Sequence, residues 1–239
     1  MENQELNYGN HYAERQWEVT EAFPKLMRKV YVWMALALCI TGMTAFYVAT
    51  SPTLLTAILT NKVLFWGLMI AELGLVVAVS AAINRLSLLT ATLLFILYSV
   101  INGATMSMIF LIYEVSSIAT VFFITAGTFG AMALIGYTTK KDLSTIGRIM
   151  FMALIGIVIA TVVNIFLKSD GLTMIISYIG VIVFMGLTVW DSQKIKQMLM
   201  QAPDTSEAFQ KVALLGSLSL YLDFINLFLY LLRIFGSRK

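Results

Sequence analysis

Seven stretches of the chain are continuously apolar and separated by short polar breaks. They run roughly from Val30 to Ala49, Val63 to Ile83, Leu88 to Ile112, Ile118 to Tyr137, Ile149 to Leu167, Leu172 to Trp190 and Val212 to Ile234. Each is close to the about 20 residues an α-helix needs to cross about 30 Å of hydrocarbon. The runs do not alternate apolar with polar, which argues against the strands of an outer-membrane barrel. Helices satisfy their own backbone hydrogen bonds, as lipid demands. The pattern therefore predicts an all-α integral membrane protein with seven transmembrane helices. Residues 1–28 read as a polar tail, 29–235 as the membrane domain and 236–239 as a short basic tail. The first 28 residues carry five glutamates, unlike a basic-then-apolar secretion signal, so the first run is expected to be a retained helix. Trp17, Val19 and Phe23 suggest a short amphipathic helix on the membrane surface.

Composition agrees with this picture. Of 239 residues, 59% are hydrophobic and 12% charged, against about 25% charged in soluble domains. A net charge of +3 implies no nucleic-acid partner. A single cysteine, Cys39, excludes an internal disulfide framework. A single histidine, His11, removes most Ser/His or Cys/His catalysis, and no phosphate-binding glycine loop is present, so the chain is not expected to be an enzyme. No organic cofactor is expected.

With the N-terminus in the cytoplasm, eleven of the sixteen Lys and Arg residues fall on the inner side. That bias places the N-terminus inside. The basic C-terminus fits an outer position less well, and a re-entrant seventh run would return it. The order of the runs also allows two three-helix units and a seventh helix between them.

Ionisable groups at membrane depth are the strongest local signal, because they are costly there and functional by default. Asp223 lies midway along the seventh run. Ser219 and Asn226 share its face, so the stripe must meet other helices or water. Asp191 closes the sixth run, where Lys194, Lys196 or solvent could also satisfy it, ahead of a polar loop from Ser192 to Lys211. It can approach Asp223 if the seventh helix is central. Glu72 sits mid-way along the second run. Arg85 ends that run and can reach Asp191, or it can snorkel to head groups. Asn102, Gly103 and Ser107 in the third run, with Gly127 and Gly130 in the fourth, suggest close helix packing.

The segment Val189-Trp190-Asp191-Ser192-Gln193-Lys194-Ile195 and the segment Tyr221-Leu222-Asp223-Phe224-Ile225-Asn226-Leu227-Phe228 through Arg233 resemble the Bax inhibitor-1 family, particularly its bacterial members. Tyr98 to Tyr113 looks like that family's third helix, and the resemblance extends from about Val30 onward. The family usually has Tyr-Asp-Thr where this chain has Trp190-Asp191-Ser192. The resemblance implies six helices surrounding a central seventh, in a bacterial inner membrane, and a pH-sensitive calcium leak. The family's paired aspartates map onto Asp191 and Asp223, and its second-helix arginine and glutamate onto Arg85 and Glu72 by helix position.

Two close carboxylates in a dry site cannot both ionise cheaply, so they share a proton. Asp191 and Asp223 are thus the expected pH sensor and candidate calcium ligands, with Arg85 as a latch. Asp223, Glu72, Asn226 and Ser219 would mark the ion path, and calcium would be the cargo. Two further readings stay open. One is a proton-coupled cation or solute transporter. The other is a regulator of a membrane protease complex, with the N-terminal tail as its handle.

Overall fold

The computed structural model describes the backbone of residues 2–239 and the side chains of 21–239. Among the described residues nine helices follow in order: α1 (Glu2–Thr50), α2 (Pro52–Thr60), α3 (Lys62–Ala82), α4 (Leu88–Met106), α5 (Ile109–Ile112), α6 (Val115–Thr138), α7 (Ser144–Leu167), α8 (Asp170–Met200) and α9 (Glu207–Phe235). Seven stretches of the described residues are long and apolar enough to cross a bilayer: Glu21–Thr50, α3, α4 with α5, α6, α7, α8 and α9.

Local chemistry sets the helix boundaries. Pro52 opens α2, where a missing N–H costs nothing. The Asn61 side chain accepts from the backbone N–H groups of Val63 and Leu64 and so caps α3. The Ser87 hydroxyl does the same for α4 through Thr90, and Ser169 for α8 through Leu172. The third span is broken: α4 stops at Met106, and α5 resumes at Ile109 after a turn in which the Ser107 hydroxyl bonds the Ala104 carbonyl.

The central element is α9. Its most apolar stretch is 67% buried, against 6% for α3 and 6% for α7. Tyr221, Leu214, Leu220 and Leu227 are sealed from solvent around it. The packing follows a repeated plan. In the first unit α1 packs on α4, α3 packs on α4, and both α1 and α4 reach α9. In the second, α6 packs on α8, α7 packs on α8, and both α6 and α8 reach α9. The molecule is therefore two three-helix units around a seventh helix, with α3 and α7 on the outside. This is the architecture of six helices about a central one that the sequence reading anticipated.

Two boundaries differ from expectation. α1 is continuous through the supposed tail, and Ala22, Leu26 and Met27 lie in the core. The membrane domain thus begins before residue 29. Phe23 stacks on Tyr137, with ring centroids 6.3 Å apart, and so faces protein and not a membrane surface. The side chains of Trp17 and Val19 lie outside the described residues.

The supposed loop from Ser192 onward is helical to Met200, because Ile195 and Leu199 continue the buried stripe of α8. The turn proper is residues 201–206. Residues 236–239 follow the end of α9 and are tethered to the turn before α6. Lys239 N–H donates to the Ile112 carbonyl and Ser237 N–H to the Ser117 hydroxyl, while the Glu114 N–H donates to the Ser237 carbonyl. The seventh helix therefore runs the full length of the bundle, and its end is fastened beside the α5–α6 turn.

Candidate functional site: two polar centres on the central helix

Close helix approach builds the environment of the polar residues. Gly103 faces α1 so tightly that a Cβ there would lie 2.6 Å from the Thr41 carbonyl and 2.7 Å from the Thr44 Cβ. Gly147 admits the Trp190 ring in the same way, which holds α7 against α8. The indole that stands where the resembled family has a phenol is thus a packing element. Gly127 and Gly130, by contrast, have nothing within 4 Å of a Cβ and face outward. The expectation that they mediate packing is corrected: α6 meets its neighbours along Thr125, Phe129, Ala133 and Gly136 instead.

The first polar centre joins α3, α4, α1 and α9. The half-buried Glu72 carboxylate accepts from the Thr105 hydroxyl at 2.5 Å and from the Asn102 amide at 3.2 Å. The Asn102 carbonyl oxygen in turn accepts from the Tyr221 hydroxyl at 2.9 Å. The Tyr221 oxygen lies 2.7 Å from the Thr41 hydroxyl, whose proton also has the Ser99 carbonyl within reach at 3.0 Å. The donors are ordered toward the carboxylate, and both Glu72 oxygens are satisfied. Phe95 and Tyr98 close edge-on around the Tyr221 ring at 5.8 and 5.7 Å. Asn102 and Thr105 lie just before the break in the third span, where irregular backbone at membrane depth is tolerated because it is enclosed by protein.

The second centre lies between α8 and α9. Asp223 is only 5% exposed, and its Oδ2 has no hydrogen-bond partner among the described residues. The other buried side-chain atom in that position is the hydroxyl of Ser192, next to Asp191. Asp191 is half-buried on α8, which packs along α9, the helix that carries Asp223.

The structure does not bring Arg85 to either aspartate. Arg85 is exposed at the α3–α4 turn, and among the described residues it makes no ion pair with Asp191. The reason is topological: α3 packs on α4 and not on α8, so a latch from the second span to the sixth is not formed here. Lys194 spends its ammonium over the Trp190 ring at 4.8 Å, and Lys196 donates to the Tyr137 carbonyl at 2.7 Å. Ser219 and Asn226 are half-buried on the Asp223 face, and the Asn226 amide donates to its own helix at the Leu222 carbonyl.

Among the described residues no three His, Cys, Asp or Glu side chains are grouped as a metal cage would require. A divalent cation at Asp191 and Asp223 would draw its remaining oxygens from hydroxyls, carbonyls or water. The unpartnered Asp223 oxygen fits that demand.

Two residues outside the candidate set hold neighbouring elements together. Tyr221, part of the motif on α9, ties three spans to one another. Gln193 accepts from the Leu143 N–H at 2.9 Å and donates to the carbonyls of Thr139 and Lys141, so it pins the α6–α7 turn to α8. The one signal for Gln193 was a long amide side chain beside Asp191, near a basic turn.

Comparison with known proteins agrees with this arrangement. The family model described as inhibitor of apoptosis-promoting Bax1 matches residues 24–239. The inner membrane protein YbhL of Escherichia coli (strain K12) is 53% identical over 215 residues, covering 89% of this chain and 92% of that protein. A protein of Borreliella burgdorferi is 45% identical over 215 residues, covering 90% and 93% of the two chains. The protein RP147 of Rickettsia prowazekii is 43% identical over 223 residues, covering 92% of each. With its seven spans, its central last helix and a match over nearly its whole length, the chain belongs to the Bax inhibitor-1 family of membrane proteins.

Proposed function

We propose that the protein is a pH-sensitive calcium leak of the bacterial inner membrane, gated at Asp191 and Asp223, with its N-terminus in the cytoplasm. The observation that carries this reading is the contrast between the two deep acids. Glu72 has both oxygens satisfied by protein donors, whereas Asp223 has one oxygen without any. A buried carboxylate with an unpaired oxygen is costly unless a proton or a cation occupies it. Asp191 on the neighbouring helix raises that cost whenever both are ionised. Proton or calcium binding at the pair would relieve the repulsion and change how tightly α8 and α9 pack. Arg85 takes no part in this step as the molecule stands. Glu72, held by Thr105 and Asn102, lies in the other polar centre, across α9 from the pair. The orientation is supported by the basic residues at one end of the bundle, including Arg28, Lys29, Arg85, Lys140, Lys141 and Lys211.

Calcium flux from proteoliposomes across a pH series tests this. Wild type should show a pH-dependent leak, and Asp223→Asn and Asp191→Asn should each flatten the dependence. Wild-type pH dependence in both variants would remove the pair as the gate. Simultaneous recording of proton movement separates a leak from an exchanger, since only an exchanger moves protons in fixed proportion to calcium.

A further inference from the structure

On the other side of α9 from the acid pair, a cavity of about 280 Å³ opens between α1 and α6. It exists because α1 and α6 both pack on α9 but scarcely touch each other. Gly42 on α1 and Ala119 on α6 are too small to close the gap, and both are exposed at its mouth. Thr41 and Phe224 form part of the deep wall, and Phe110 and Val115 lie at the end near the α5–α6 turn. The lining is almost wholly carbon, so water has few partners there. In a seven-span protein the mouth faces hydrocarbon. The space is roughly twice the about 150 Å³ that admits benzene, which suits an alkyl segment on the order of ten carbons.

The same end of the cavity carries fixed cations. The Lys239 ammonium donates to the carbonyl of Phe110 at 2.7 Å. Arg238 pairs with Tyr113 in an isolated antiparallel bridge. Both side chains are exposed, with Glu114 as the neighbouring acid. Backbone pairing thus holds two basic residues where the head group of a lipid would lie if its chain entered between α1 and α6.

We propose that this cavity is a phospholipid-binding site, which takes one acyl chain from the leaflet on the α5–α6 side and sets the lipid phosphate against Arg238 and Lys239. The bound chain braces the first polar centre, because Thr41 of the cavity wall is the hydroxyl next to Tyr221. This site stands independently of the transport reading.

Native mass spectrometry of the full chain with added dioleoyl phosphatidylglycerol tests it. Wild type should retain one lipid through detergent exchange. A Cβ at Gly42 meets nothing within 4 Å, so Gly42→Leu fills the mouth without a backbone clash. That variant should hold the lipid at least about tenfold more weakly, as expected when a buried alkyl segment loses its cavity. The double variant Arg238→Gln, Lys239→Gln should weaken retention several-fold. Unchanged retention in either variant overturns the proposal.

A second measurement needs no variant. Phosphatidylglycerol with a photoactivatable diazirine in its acyl chain should label wild type chiefly around Gly42 and Ala119–Phe123. Equal labelling of the outward face of α3, around Val63 and Ile70, would show ordinary bilayer contact and overturn the site.

Discussion

Tyr221 and Asp223 are two residues apart on α9 and point into opposite halves of the molecule. Two helical steps rotate a side chain by about 200°. Tyr221 consequently meets Thr41 and Asn102 of the first three-helix unit, and Asp223, buried on the other side, has an oxygen that no described residue hydrogen-bonds. Any rotation of α9 disturbs both centres together. The hydroxyl chain and the acid pair are two readouts of one helix position.

Removing the Tyr221 hydroxyl isolates the first centre. Tyr221→Phe keeps the ring packing on Phe95 and Tyr98 but leaves the Asn102 carbonyl oxygen without its donor. Interhelical hydrogen bonds in membranes are worth about 0.6 kcal/mol on average and up to about 1.7 kcal/mol. The expected loss is about 1–2 kcal/mol, near the upper end, because this bond is fully enclosed. Thermal unfolding in detergent should fall by a few degrees, and an unchanged midpoint would mean that the hydroxyl chain is not a structural tie.

The glycines divide into two classes that a single substitution series separates. Gly103→Ala forces a methyl group against the α1 backbone and should destabilise by about 1–3 kcal/mol. Gly130→Ala has open space and should be neutral or slightly stabilising, within about 1 kcal/mol, through better helix propensity. Comparable melting temperatures for the two variants would contradict the packing described between α4 and α1.

Gln193 governs the α6–α7 turn. Gln193→Ala releases the Leu143 N–H and the carbonyls of Thr139 and Lys141 at once. A cost of about 1–3 kcal/mol is expected for the buried donor left unpaired. Hydrogen exchange in residues 139–143 should accelerate well before exchange in α9. Exchange that stays at the wild-type rate would show that the turn is held by something other than Gln193.

Asp142 gives a pH signature outside the membrane. Its carboxylate is held below the ordinary value by the Ser144 hydroxyl and N–H at the start of α7. The lowered value means that the ionised form is favoured by folding. Its contribution is present above about pH 3.8, the ordinary value, and is lost as pH falls through the lower folded value. Asp142→Ala should therefore speed amide exchange at the α7 N-terminus at pH 7, and the difference from wild type should vanish in strong acid. A difference that persists in acid would exclude this carboxylate as its source.

The spans were legible because hydrophobic runs of this length have one structural solution in lipid. Their ends were less so, since Ile195 and Leu199 bury a helix face among Lys and Gln residues, and a window average reads that mixture as a loop. Asp191 and Asp223 stood out through sheer cost, and they lie on two helices that pack on each other, α8 and α9. Arg85 looked equally eligible because position along a helix gives depth but not azimuth. It lies in the turn that follows α3, a helix that packs on α4 and not on α8. The break at Ser107 was written in Asn102, Thr105 and Ser107, yet polar residues in an apolar run read equally well as packing or hydrogen-bonding positions.

The marginal attachment of α3 and α7 has a mechanical corollary. Each leans on a single long neighbour and presents nearly its whole surface to lipid tails. At 21 residues, α3 spans about 31 Å, close to the thickness of the hydrocarbon itself. A thinner bilayer tilts these two outer helices, and a thicker one is pinched around them, before either strains the enclosed seventh. The force would enter at Glu72 on one flank and at Trp190 on the other, which makes membrane thickness a physical input to both halves of the protein.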